Sequence, residues 1–101
     1  MVKHIVLFKL ASYAEGKSKQ EIALYLKTKL EGLQDLIPEL LKIEVTINSS
    51  KASAENYDLI LITEFDNFSD LNIYINHPEH QKIAQFISKV KTDRAAIDYE
   101  L

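Results

Sequence analysis

The side chains able to move protons near neutral pH are three histidines, His4, His77 and His80, in a chain with five tyrosines and no cysteine. A neutral imidazole is suited to taking a proton beside a carbonyl group, and a nearby tyrosine hydroxyl can orient that base or hold a developing oxyanion. His77 and His80 bracket Pro78. His80 precedes Ile83 and Ile87 at helical spacing, which puts it on an apolar stripe, and Tyr74 shares a stripe with Leu71 and Ile75. His4 lies among Val2, Val6 and Phe8 on one side of an alternating run. If the helix carrying Tyr74 covers the His4 face, His4, Tyr74 and His80 converge between helices and sheet. Each residue also has a plainer use: His4 as a hydrogen-bonded core histidine, His77 as a helix cap, Tyr74 as packing. Metal binding is the other use of histidines, but Pro78 interrupts the close pair and no carboxylate completes a ligand set, so no metal site is expected. Phosphate loops, nucleophile elbows and paired carboxylates are absent.

These residues must be held by elements that the hydrophobic pattern reveals. Val2 to Leu10 alternates with an apolar centre on both sides, a strand. Ser12 to Ser18 is a polar connection, and from about Lys17 apolar residues recur at Ile22, Leu26, Leu30, Leu33 and Ile37 until Pro38 ends the helix. Leu41, Ile43, Val45 and Ile47 alternate with polar residues, a strand with one wet face. After a loop over 48–56, Tyr57, Leu59, Leu61, Thr63 and Phe65 oppose Ile60 and Ile62 in a second strand that is apolar at its centre on both sides. Ser69 is the expected N-cap of a helix through Tyr74, Pro78 opens another that runs to about Lys91, and Ala95 to Leu101 forms a short last strand. In that strand Asp98 is expected to pair with a neighbouring Lys or Arg, and Tyr99 to pack.

The order β-α-β-β-α-β predicts an α+β, ferredoxin-like fold with an antiparallel sheet, in which the first and third strands are central. Helices can cover only one face of such a sheet. Ile5, Leu7, Ile60 and Ile62, or their opposite numbers, then face water unless a second copy covers them, so a homodimer packed sheet to sheet is expected.

With 101 residues there is room for a single domain, 1–101, and for only a modest pocket. Twelve basic against fifteen acidic side chains give a net charge of −3, and Arg94 is the lone arginine among scattered lysines, which argues against a nucleic-acid partner. No apolar run approaches the length of a membrane span, and charge within the first apolar run argues against a signal peptide. Without cysteine, a reducing compartment is allowed and a cytoplasmic location is expected.

The opening Val-Lys-His-Ile-Val-Leu-Phe-Lys, the Leu36-Ile37-Pro38 helix exit, Tyr57-Asp58-Leu59, the run Tyr74-Ile75-Asn76-His77-Pro78-Glu79-His80 and the closing Ile97-Asp98-Tyr99 resemble the stress-responsive dimeric α/β-barrel family. The resemblance implies a homodimer whose two sheets form a barrel. It also implies a pocket between helices and sheet for a small apolar or aromatic carbonyl ligand, without metal or organic cofactor. The best understood activity of the family is a plant polyketide cyclisation, an aldol closure whose groups correspond by position to His4, Leu59, Tyr74 and His80. A leucine here replaces the third-strand histidine. The candidate catalytic residues are therefore His80, Tyr74 and His4, with Val6, Phe8, Leu30, Leu59 and Leu61 as ligand-binding wall. Three functions stay open: cyclase- or isomerase-type acid–base chemistry, a noncatalytic stress-response dimer, and an enzyme like the cofactor-independent monooxygenases that share the barrel.

Overall fold

The computed structural model describes residues 1–101. Its elements are β1 (Val2–Leu10), a short hairpin of β2 (Tyr13–Ala14) and β3 (Lys17–Ser18), α1 (Lys19–Glu31) with a 3-10 turn (Gly32–Asp35), β4 (Lys42–Ile47), β5 (Leu59–Phe65), α2 (Phe68–Asn76), α3 (Pro78–Val90) and β6 (Lys91–Glu100). The main sheet is antiparallel with order β4-β5-β1-β6. This is the ferredoxin-like α+β fold, with the two doubly apolar strands, β1 and β5, at its centre.

Local chemistry sets the boundaries. The connection after β1 is more ordered than its polar composition suggests, because Glu15 and Gly16 both take positive φ (51° and 73°), the backbone of a tight hairpin turn. Ser18 then starts α1 with a capping box: its Oγ accepts from the Glu21 amide at 3.2 Å while the Glu21 carboxylate accepts from the Ser18 amide at 3.0 Å. The helix accordingly begins at Lys19, two residues beyond the expected Lys17. Asn67, not Ser69, caps α2, its side chain accepting from the Asp70 amide at 2.8 Å. Serine and asparagine are comparable caps, and here the chain turns into the helix two residues earlier. His77 caps α3 through Nδ1, which accepts from the Glu79 amide at 3.1 Å, with Pro78 at the first helical position. The last strand starts at Lys91 rather than Ala95, since it pairs with β1 along nearly its whole length.

Along β1 burial alternates residue by residue. One face of the sheet carries Val2, Val6, Phe8, Leu10, Val45, Leu59, Leu61 and Phe65 into a core closed by Ile22, Leu26 and Leu30 of α1 and by Leu71, Tyr74, Ile87 and Val90 of α2 and α3. The other face has no helix over it. Register aligns Ile62, Ile5 and Ile97 in one cross-strand row and Ile60, Leu7 and Ala95 in the next. Lys3 and Glu64, an ion pair at 3.8 Å, border these rows.

Candidate functional site

The helix-covered face is not filled everywhere. Between β1, α1, α2, α3 and the start of β6 lies a cavity of about 190 Å³ lined by His4, Val6, Phe8, Leu30, Leu61, Ile75, His80, Ala84, Ile87, Lys91 and Arg94. Three wider depressions, of about 440 to 500 Å³, lie elsewhere, and none contains a histidine. For scale, drug-sized ligands occupy roughly 300–1,000 Å³, whereas an apolar cavity of about 150 Å³ takes benzene. The cavity is therefore the size of a single small ring, and a long linear polyketide does not fit within it.

Both imidazoles on this cavity are oriented through Nδ1. His4 is buried at the centre of β1, and its register partner on β6 is Asp98, whose carboxylate accepts a hydrogen bond from His4 Nδ1. Asp98 thus serves a histidine and not the expected lysine or arginine, because strand register puts no cation opposite it. His80, on the first turn of α3, donates from Nδ1 to the Ile75 carbonyl at 3.0 Å. That carbonyl belongs to the last turn of α2, where helix carbonyls lack intrahelical partners. With Nδ1 carrying the proton in each ring, Nε2 of the neutral form is left as acceptor. Burial lowers the pKa of His80 from its ordinary value, opposed by the Ile75 hydrogen bond and reinforced by the nearby charges of His4 and His77. At neutral pH His80 is an uncharged base.

Tyr74 is fully buried, its ring packed against Phe65 at 5.1 Å and His80 at 4.5 Å between centroids. Its hydroxyl has no hydrogen-bond partner, and burial raises its pKa far above the ordinary phenol range. The residue supports the His80 ring from behind and does not line the cavity. Leu59 also lies outside the lining, buried in the core at the start of β5. The remaining sequence candidates, His4, Val6, Phe8, Leu30, Leu61 and His80, surround the same space.

Sequence reasoning missed the charged part of the wall. Arg94 pairs in register with Phe8 and so shares the His4 face, while Lys91 sits at the α3–β6 junction. Residue parity already grouped Arg94 with Asp98 on one side of the strand. What was lacking was the register that carries this side over the cavity. No group of three or more His, Cys, Asp or Glu side chains converges to hold a metal ion.

A four-stranded antiparallel sheet with helices on one face, and a cavity between them lined by two oriented histidines, defines a ferredoxin-like α+β domain. The chain belongs to the stress-responsive A/B barrel domain family, whose model matches residues 2–101. A dimeric protein of unknown function with a ferredoxin-like fold from Bacteroides fragilis is 35% identical, covering 99% of this chain and 95% of its own, with a TM-score of 0.77. A dimeric ferredoxin-like protein of unknown function from Thermobifida fusca is 26% identical over 99% of this chain and 90% of its own, at a TM-score of 0.81. Hydroxynitrile lyase from Passiflora edulis shares 16% identity over 99% and 92% of the two chains with a TM-score of 0.80, a likeness of fold alone. No curated protein matches this chain. No helix is long and apolar enough to cross a membrane.

Proposed function

We propose that the chain works as a homodimer packed through its open sheet face, and that each subunit binds a one-ring carbonyl compound between helices and sheet and catalyses proton transfer at the carbon beside the carbonyl. The observation that carries this reading is the pair of imidazoles around an apolar space of about 190 Å³, each held at Nδ1 so that Nε2 is free. In the proposed step His80 Nε2 takes the α-proton, and the C–H electron pair moves into the carbonyl to give an enolate. Return of a proton from the imidazolium completes an exchange or isomerisation without a cofactor. The His4–Asp98 pair is the second proton-transfer group at the same space. The dimeric state of the Bacteroides and Thermobifida relatives supports the assembly, as do the uncovered isoleucine rows.

A noncatalytic binding dimer is favoured instead by two residues. Leu59 stands at the position where the family's cyclisation has a histidine, and the Tyr74 hydroxyl is sealed from the cavity. Acetophenone in D₂O separates the readings. Exchange of its methyl hydrogens, followed by NMR, is expected to exceed the buffer rate. That excess should vanish in His80→Asn, whose amide can still donate to Ile75, and in His80→Ala. Binding without exchange establishes the noncatalytic reading, and absence of binding overturns the cavity as a ligand site.

A further inference from the structure

Apart from its two imidazoles, the cavity wall is apolar except on one side, where Lys91 and Arg94 stand together. Neither takes part in any ion pair of the chain. No carboxylate lines the cavity, and of the acidic groups on the same face of β6 the nearer to Arg94 along the strand, Asp98, is engaged by His4. Asp93, which precedes Arg94, lies on the other face of β6 in register with Lys9, where its carboxylate accepts from the Tyr57 hydroxyl at 3.0 Å and from the Arg94 backbone amide at 2.8 Å, and it forms no ion pair with the guanidinium. A cationic wall with no internal counterion, in a chain whose net charge is −3, is an arrangement that an anionic ligand would complete. Arginine adds geometry to charge, since its planar fork matches the two oxygens of a carboxylate.

We propose that Arg94, assisted by Lys91, selects ligands that carry a carboxylate, so that the class bound in this cavity is small one-ring carboxylic acids. The inference rests on the cavity being the ligand site. The apolar walls of Val6, Phe8, Leu30 and Leu61 take the ring. Arg94, which is solvent-exposed at the β6 end, holds the carboxylate at the cavity's outer rim. This anchoring turns the ligand's body towards His4 and His80, and the acid is bound as its anion without a buried unpaired charge.

Benzoate, benzamide and acetophenone are near-isosteric probes that differ in charge, and their dissociation constants can be measured by NMR titration on the whole protein at low salt. Wild type is expected to bind benzoate about tenfold or more tightly than benzamide. Arg94→Gln should reduce that ratio about tenfold, Arg94→Lys should restore part of it because a point charge keeps attraction without the fork, and added salt should reduce it in wild type. Equal affinity for benzoate and benzamide, or an unchanged ratio in Arg94→Gln, overturns the carboxylate proposal while acetophenone binding leaves the cavity reading intact. Inorganic phosphate displacing benzoate at equal concentration also overturns it, because it would reveal a bare anion site. Failure of all three ring probes to bind overturns both. Arg94 lies exposed on an edge strand, so its variants are expected to fold, which circular dichroism and size-exclusion elution verify.

Discussion

The two faces of the main sheet are built from the same two central strands and the same residue types, yet they meet different fates. On the helix side, Val6, Leu61 and Val45 are sealed from solvent, at 2%, 3% and 0% exposure. On the open side, Ile5 and Ile62 are half-buried and Ile97 is 59% exposed. The contrast teaches that hydrophobicity decides only that a surface wants cover. Topology decides whether the same chain can supply it, and the two helical crossovers, α1 and α2–α3, reach one face only. Stability should therefore reside on the covered face, and association on the open one.

Charge placed on either face makes the sharpest test. Phe65→Asp puts an unpaired carboxylate into a closed core, a cost of several kcal/mol that a domain of ordinary stability does not survive, and the chain is expected to be unfolded by circular dichroism. Ile5→Asp, on the opposite face of the same sheet, is expected to leave the circular dichroism spectrum intact but to convert a dimer into a monomer by light scattering at micromolar concentration. A folded dimer with Ile5→Asp would remove the open face as the interface.

Much of this contrast was legible in the sequence because strand alternation is local. Ile5 and Val6 are neighbours whose side chains must point in opposite directions, and the two doubly apolar strands could be recognised as central before any coordinates. The cavity was legible only in part. His4 and His80 stand on a strand and a helix whose stripes are visible, whereas Asp98 and Arg94 reach them through the β1–β6 register, a long-range property that no local pattern encodes. Tyr74 shows a limit of a different kind. Its stripe position was correct, but burial depth determines whether a hydroxyl opens on a cavity or is enclosed, and periodicity does not report depth.

The next effect is smaller and confined to the covered face. His80 has a pKa below its ordinary value of 6.5, so as pH falls through that value the unfolded chain takes up a proton that the folded chain resists. The stability tied to the neutral imidazole is fully present above 6.5 and is lost progressively below it. Urea midpoints at pH 7.5 and 5.5, at fixed protein concentration, are expected to differ less in His80→Asn than in wild type. The carboxylate of Glu21 is also lowered, by its Ser18 hydrogen bonds, but its contribution is lost only on acidification below its ordinary 4.5 and does not confuse this window. An equal pH response in the two proteins would mean that burial does not govern His80.

The smallest expected effect distinguishes support from chemistry within the site itself. Tyr74→Phe keeps the ring that packs against Phe65 and His80 and deletes only a hydroxyl that has no partner in the folded state. A buried unsatisfied hydroxyl costs roughly 1–3 kcal/mol, since unfolding returns it to water, so its removal should leave stability unchanged or raise it by about 1 kcal/mol. Because burial holds that hydroxyl protonated and no cavity atom accepts from it, acetophenone exchange should stay within about twofold of wild type. A tenfold loss of exchange at unchanged stability would instead put the hydroxyl in the reaction, through a rotation that opens it to the ligand. His80 would then work with a partner that the closed packing of α2 against β5 conceals.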